Sequence, residues 1–158
     1  MRPSLTRTAY TDGSARPNPG PMRWAVVWVE GGQVVAEEAA AAGHGSNNQA
    51  EMLAVIHALE AWAGDLTVVS DSAVVVHCAT GSWRRRANLD LWRRFDRAMA
   101  NRKGCRTCFR LVKGHHGDPH NERADRLAAG QGDLEERHRI GDRCGALREP
   151  PPPTRPVR

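Results

Sequence analysis

The chain has 158 residues, a mass of 17.4 kDa and 40% hydrophobic residues, which fits one globular domain with a sizeable core rather than two independent domains. It shows neither a secretion signal nor a run of about eighteen apolar residues able to cross a bilayer, so we expect a cytoplasmic protein. The net charge is +5, but residues 84–113 hold eleven Lys or Arg against two acidic residues, so this block carries +9 and the rest −4. Such a division is typical of an enzyme that binds a polyanion near carboxylates, although a solvated basic helix face gives the same composition.

The first part of the chain predicts three strands in an antiparallel meander. The first, residues 8–11, contains β-branched and aromatic side chains and delivers Asp12 into a turn rich in Gly, Ser, Pro and Asn. A carboxylate held stiffly at a strand end suits a metal ligand, although Asp-Gly-Ser is also an ordinary way to begin a turn. Apolar runs at 23–29 and 33–40 flank the pair Gly31-Gly32, which suits a hairpin.

The middle of the chain predicts a helix followed by a parallel strand, each with an acid. Helical spacing over 49–63 places Glu51 in the first turn, and a short apolar strand over 66–69 leads to Asp71. Strand-helix-strand order favours a right-handed parallel crossover, so Asp12 and Asp71 are expected at the same edge of the sheet. Because neighbouring like charges are costly without a cation, this pair predicts bound metal.

The remaining segments predict two further helices, one strand and a C-terminal helix. The helices cover 72–79 and 88–99, the second being amphipathic and basic, and the strand covers 105–112. A capped helix begins at Asn121 and carries Asp125.

Apolar periodicity ends after residue 130, which divides the chain into a domain over 1–132 and an extension over 133–158. The Pro-rich end of the extension predicts disorder or a tether. Cys105 and Cys108 form a CxxC pair, but no second ligand pair at zinc-finger spacing accompanies it. We therefore expect free thiols in a reducing compartment, with a redox or metal role for this pair as the alternative.

Four short motifs follow one another along the chain: YTDGS with NPG (10–14 and 18–20), SNNQAE (46–51), SDS (70–72) and KGHHGDPHNERAD (113–125). Together and in this order they resemble type I ribonuclease H, and the resemblance extends over roughly residues 8–130. The spacing to Asp125 agrees with the family and selects His115, not His116 or His120, as the catalytic-type histidine.

The resemblance implies an α/β fold of the RNase H-like type, with a five-stranded mixed sheet of three antiparallel strands and then parallel crossovers, flanked by helices. It implies an endoribonuclease that hydrolyses the RNA strand of an RNA/DNA hybrid by two-metal-ion catalysis and leaves 5′-phosphate and 3′-hydroxyl ends. The implied cofactor is a pair of Mg²⁺ ions, which Mn²⁺ could replace, and carboxylate oxygens suit both metals. A monomer that binds no membrane is expected.

The same resemblance assigns roles to five residues. Asp12 would bridge both metal ions, Glu51 and Asp71 would hold the ion on the leaving-group side, and Asp125 would hold the ion on the water side. His115 would assist proton transfer or product departure; a surface loop histidine without a role is the alternative for this residue.

Substrate contacts are also implied by the resemblance. They are Ala15, Asn18, Asn47 and Glu51 on the RNA side, Ser46, Asn48 and Trp83 on the DNA side, and Arg84, Arg85 and Arg86 at phosphates. Helix capping is the alternative for Asn47 and Asn48, and core packing is the alternative for Trp83. The sequence departs from the family at Ala73, where many members have a Gln that contacts RNA, and in the short basic segment after Trp83.

Two other functions are compatible with these residues. One is a DNA-acting nuclease or recombinase of the same superfamily, against which the segment 113–125 argues. The other is a non-catalytic module that binds RNA/DNA hybrids, which would need no cluster of four carboxylates.

Overall fold

A mixed sheet with helices on both faces forms the framework of the protein. The computed structural model describes residues 6–114 and 117–131. In chain order the elements are β1 (Thr6–Ala15), β2 (Gly20–Glu30), β3 (Gln33–Gly45), α1 (Asn47–Ala61), β4 (Asp65–Ser70), α2 (Ala73–Ala79), α3 (Leu89–Ala100), β5 (Thr107–Leu111) and α4 (Pro119–Ala128). The strand order is β3-β2-β1-β4-β5; β2 pairs antiparallel with β1 and β3, and β4 pairs parallel with β1 and β5. The predicted five-stranded α/β fold is confirmed.

Strand β1 lies at the centre of the sheet and is longer than predicted. The sequence predicts a turn from Asp12 onward, but residues 12–15 continue the strand. Pairing with β2 reaches Ala15, whereas pairing with β4 ends at Tyr10. Asp and Gly are poor strand formers, so the neighbouring strand β2 decides this conformation. Asp12 is therefore held within a strand, just beyond the point where pairing with its parallel neighbour ends.

Apolar side chains cover both faces of the sheet. On one face α1, α2 and α3 pack through side chains such as Ile56, Val75 and Phe95. On the other face α4 packs through Ala124 and Leu127, both fully buried. Because successive strand residues point to opposite faces, single strands contribute to both cores. The strand ends that carry Asp12 and Asp71 thus belong to a sheet that is covered by helices on both faces.

Helix α1 is fixed at both ends. At its N-terminus the hydroxyl of Ser46 accepts a hydrogen bond from the amide of Gln49, and the Gln49 side chain accepts one from the amide of Ser46. This reciprocal pair is a capping box. At its C-terminal end the side chain of the buried Arg102 donates to the carbonyl oxygens of Leu59, in the last turn, and of Trp62, the C-cap residue. Helix α1 therefore has a defined position along the sheet.

Within the described ranges, no helix is long and apolar enough to span a membrane. Cys78, Cys105 and Cys108 form no disulfide with another described residue, and the predicted reduced state stays a prediction. Cys144 and the extension over 133–158 lie outside the described residues, so the predicted disorder of its end stays a prediction.

Candidate active site

Three acidic side chains from different elements meet at one edge of the sheet. Asp12 comes from β1, Glu51 from α1, and Asp71 from the position directly after β4. One carboxylate oxygen of each lies within 4.8 Å of the others. Asp12 is buried and the other two are half-buried. The parallel crossover from β1 to β4 thus brings Asp12 and Asp71 together, and α1 adds the third acid.

A close backbone approach sets the separation between Asp12 and Glu51. Helix α1 begins two residues earlier than predicted, so Glu51 lies in the second turn and not in the first. A Cβ atom on Gly13 would lie 2.2 Å from the carbonyl carbon of Ala50 and 2.3 Å from the amide nitrogen of Glu51. Only glycine allows this contact. Gly13 is therefore a site residue to which the sequence gives only a turn role, and its place directly after the acid is the signal that could have revealed it.

The crowding of negative charge changes the ionisation of the cluster. Burial, together with the charges of Asp71 and Asp125, raises the pKa of Asp12 from 3.8 to about 7, although a hydrogen bond with Glu51 opposes the shift. Burial and the negative charge of Asp12 raise the pKa of Glu51 well above 4.5. Both ionised forms are therefore unfavourable in the metal-free protein.

One oxygen in this cluster is conspicuously without a partner. Oε2 of Glu51 is buried and has no hydrogen-bond partner among the described residues. A buried carboxylate oxygen usually finds a donor or a cation, because leaving it unpaired is costly. Hard oxygen ligands suit Mg²⁺ and Mn²⁺, and a cation would offset the repulsion among the acids. The donor set of Asp12, Glu51 and Asp71 therefore fits a divalent metal ion.

Asp125 lies on α4, beside this cluster. It is not one of the three carboxylates within 4.8 Å of one another. Its charge nevertheless acts on both Asp12 and Glu51. The position of Asp125 relative to the other acids therefore depends on how α4 is attached to the sheet.

Polar side chains from all three antiparallel strands attach α4 to the sheet. Ser14 Oγ and Arg23 Nε donate to carbonyl oxygens in the last turn of α4, at 2.8 Å and 2.9 Å. Arg123, on α4, donates to both carboxylate oxygens of Glu37 on β3, each at 2.9 Å, and the Glu37 side chain is 3% exposed. Sequence reasoning missed these contacts, because the partners are far apart along the chain and no local motif marks them.

The predicted histidine, His115, lies outside the described residues. Its neighbour Gly114 lies against the cluster, since a Cβ atom on Gly114 would be 2.8 Å from Oδ2 of Asp71. His120 is in the first turn of α4, and its ring centre is 5.1 Å from that of Tyr10. The role of His115 stays a prediction.

The residues predicted on the RNA side form a connected group beside the acids. Asn47 Oδ1 accepts a hydrogen bond from the amide of Ala15 at 2.7 Å, and Asn18 Oδ1 accepts one from the amide of Asn47 at 3.1 Å. The helix cap is Ser46, so the alternative in which Asn47 and Asn48 cap α1 is wrong. Asn48 is exposed. The side chain of Asn47 instead joins the N-terminus of α1 to the end of β1.

Trp83 and the three arginines lie in the loop between α2 and α3. The Trp83 side chain is 48% exposed and stacks on His77 with ring centres 4.5 Å apart, so the core-packing alternative is wrong. Arg84 and Arg86 are exposed. Arg85 is half-buried and paired with an aspartate of α3. The structure therefore separates three arginines that are equivalent in the sequence.

Comparison with known proteins decides the family. Residues 5–132 match the family model described as RNase H. The chain belongs to the ribonuclease H family. Ribonuclease H of Dinoroseobacter shibae is 44% identical over 139 residues, which cover 76% of this chain and 87% of the relative. Ribonuclease H of Bradyrhizobium diazoefficiens is 38% identical over 136 residues, which cover 77% of this chain and 86% of the relative.

Solved ribonuclease H structures show the same architecture. RNase H1 of Halobacterium salinarum superposes with a TM-score of 0.68 at 37% identity, over 78% of this chain and 95% of that protein. LC11-RNase H1, crystallised in complex with an RNA/DNA hybrid, superposes with a TM-score of 0.70 at 26% identity, over 79% of this chain and 95% of that protein. The predictions of family, fold class and enzyme class are confirmed by these likenesses.

Proposed function

We propose that this ribonuclease H family member hydrolyses the RNA strand of RNA/DNA hybrids and leaves 5′-phosphate and 3′-hydroxyl ends. The observation that carries the proposal is the cluster of Asp12, Glu51 and Asp71 within 4.8 Å, next to Asp125. A hybrid-binding module would not need such a cluster, because each buried like charge lowers stability. Support for the substrate comes from the similar LC11-RNase H1, whose crystal contains an RNA/DNA hybrid.

The acids are proposed as ligands of two divalent ions, Mg²⁺ or Mn²⁺. Glu51 and Asp71 would hold one ion, Asp125 would hold the other, and Asp12 would contribute to both. When bound, such ions supply a lowered pKa for the attacking water and positive charge beside the leaving oxygen. The chain itself supplies the rigidity. The close approach at Gly13 and the polar contacts that attach α4 to the sheet would keep the four carboxylates in place before substrate arrives.

Proton movement is assigned to His115. It directly follows Gly114, which lies against Asp71. An imidazole is suited to transfer protons near neutral pH, so His115 would assist the departure of the product or the transfer of a proton.

Substrate recognition is proposed at two surfaces beside the acids. Ala15, Asn18 and Asn47 already form one hydrogen-bonded group, which would read 2′-hydroxyls of the RNA strand together with Glu51. Ser46, Asn48 and Trp83 would contact the DNA strand. Phosphate contacts are proposed for the exposed Arg84 and Arg86, while Arg85 has an intramolecular partner.

The decisive test is cleavage of a labelled RNA strand within an RNA/DNA hybrid, with Mg²⁺ or Mn²⁺ present. Only the RNA strand of the hybrid should be cut, with duplex DNA and single-stranded RNA of the same sequence left intact. Equal cleavage of either control substrate, or no cleavage with either metal, would contradict the proposal.

Two substitutions test the assigned roles in the same assay. Asp12→Asn is expected to reduce the rate by roughly 10³-fold or more, because metal ligation provides several kcal/mol of transition-state stabilisation. His115→Ala is expected to slow the reaction by about 10²-fold without abolishing it. Asp90→Asn, which removes an exposed acid of α3, serves as the charge-matched control and should retain the wild-type rate. Normal turnover by Asp12→Asn would refute its role.

A further inference from the structure

The three consecutive arginines after Trp83 have different environments. Arg84 and Arg86 are exposed, and neither side chain makes a hydrogen bond or ion pair with another described residue. Arg85, between them, is half-buried and makes several contacts. Position in the sequence gives all three the same predicted role, whereas the structure indicates two roles.

Arg85 joins the loop to helix α3 through a specific geometry. Its Nη1 donates to both carboxylate oxygens of Asp96, at 2.9 Å and 2.8 Å. Its guanidinium carbon lies 4.4 Å from the centre of the Trp92 ring, within cation–π range. Its Nε also donates to the carbonyl oxygen of Cys78 on α2, at 3.4 Å. One side chain therefore connects α2, the loop and α3.

Trp83 is held from the other end of the same loop. Its amide donates to the carbonyl oxygen of His77 at 3.0 Å, and its ring stacks on the His77 ring. The indole is still 48% exposed. The loop thus presents an exposed aromatic side chain and two exposed cations from a backbone that is fixed on both sides. An aromatic face beside cations is the combination that binds a nucleic-acid strand.

We propose that Arg85 and Asp96 form a positioning pair, which holds the loop so that Trp83, Arg84 and Arg86 are presented together to nucleic acid. Arg85 itself then contacts no phosphate. The inference rests on the proposed function, because it concerns the same substrate. By its charge alone, Asp96 should weaken the binding of a polyanion to the nearby basic surface. As the partner of Arg85, it should instead strengthen binding.

Whether Asp96→Asn raises or lowers the dissociation constant for a hybrid separates these possibilities. Binding of a fluorescently labelled RNA/DNA hybrid is measured with the full chain carrying Asp12→Asn, so that the hybrid stays intact. Adding Asp96→Asn should raise the dissociation constant roughly three- to ten-fold, as expected for loss of a coupled contact. Asp90→Asn makes the same change of charge on the same helix and should leave the constant unchanged or lower it. An unchanged or lower constant for Asp96→Asn would overturn the proposal.

A second variant tests the pair from the other side. Arg85→Lys keeps the positive charge, but a single ammonium nitrogen cannot donate to Asp96 and to the carbonyl oxygen of Cys78 while a planar group lies over Trp92. A phosphate contact made through charge alone would tolerate this change, whereas the positioning role predicts weaker binding, similar to that of Asp96→Asn. The double variant should bind no more weakly than either single variant. Near-wild-type binding by Arg85→Lys would contradict the positioning role.

Hydrogen exchange provides a readout that needs no substrate. In the free protein, both Arg85→Lys and Asp96→Asn should speed amide exchange over residues 83–87, including the Trp83 amide, which donates to the carbonyl oxygen of His77. If the wild-type chain bound no hybrid, the proposed function would fail, while exchange would still decide the positioning pair. Unchanged exchange in both variants would overturn the pair.

Discussion

Asp12 is the most buried acid of the acidic cluster, and its ionised form is disfavoured there. It is 5% exposed, and its pKa is raised from 3.8 to about 7 by burial and by neighbouring acids. Between these two values the folded protein binds more protons than the unfolded chain, so the free energy of unfolding falls as pH rises. The metal-free protein should therefore be less stable at pH 8 than at pH 5 through this group.

Asp12→Asn should remove this dependence. At pH 8 with a chelator, the variant is expected to be more stable than wild type by about 1–3 kcal/mol, since the buried negative charge of Asp12 is removed from the cluster. Its loss of stability from pH 5 to pH 8 should be smaller, and added Mn²⁺ should raise its melting temperature less. Thermal unfolding at both pH values, with and without Mn²⁺, measures all three effects. Identical pH profiles for the two proteins would argue against the raised pKa.

Gly13 is the residue that fixes the spacing of the first two acids. Gly13→Ala would place a methyl group 2.2 Å from the backbone of Ala50, so β1 or α1 must move. We expect a loss of about 1–3 kcal/mol in stability from overpacking. Cleavage should fall by more than about tenfold, because catalytic geometry tolerates only small displacements.

A control for stability alone is Gly31→Ala, in the hairpin after β2. This residue has φ +54°, and a Cβ atom there would meet nothing within 4 Å. The change should cost about 1 kcal/mol through backbone strain without affecting cleavage. If both variants lost activity equally, general destabilisation would explain the effect of Gly13→Ala.

At the level of elements, the attachment of α4 determines where the fourth acid lies. Its buried face consists mainly of small residues, so the polar contacts from Ser14, Arg23 and Glu37 supplement a limited apolar contact. The Arg123–Glu37 pair is the most buried of these, and a buried pair is costly to break from one side.

Arg123→Met should therefore destabilise the protein by about 2–4 kcal/mol, because Glu37 would lose its bidentate donor in a buried position. Glu37→Gln combined with Arg123→Met should cost less than the sum of the two single changes. Chemical denaturation of the wild type, the two single variants and the double variant measures this coupling. Additive costs would show that the two side chains act independently.

At the level of the whole molecule, the domain boundary is testable. The three apolar clusters found among the described residues lie between Ala9 and Ala128, and the family match ends at residue 132. A chain that ends at residue 132 should fold with a melting temperature within about 3 °C of wild type, since no described core contact is removed. It should also retain hybrid cleavage. A truncated chain that is insoluble or melts more than about 10 °C lower would place the boundary elsewhere.

The sequence predicted the parts of the molecule that local pattern determines. The strand-helix-strand order placed Asp12 and Asp71 at one edge, and the ordered motifs added Glu51 and Asp125. Contacts between distant residues could not be predicted in this way. The extension of β1 past Asp12 depends on pairing with β2, and the environment of Arg85 depends on Asp96 and Trp92. The monomeric state and the cytoplasmic location stay predictions.

The hydrogen bond between Ser14 and Ala128 joins residues 114 positions apart in the chain. During synthesis, the hairpins of β1, β2 and β3 can pair while later segments are still inside the ribosome. Helix α4 is the last of the described elements to emerge, and it carries both Asp125 and the acceptor for Ser14. A nascent chain therefore lacks the fourth carboxylate, Asp125, until nearly the whole domain has been made. The order of translation thus delays assembly of all four acids until α4 can bind to the sheet and hold Asp125 in position.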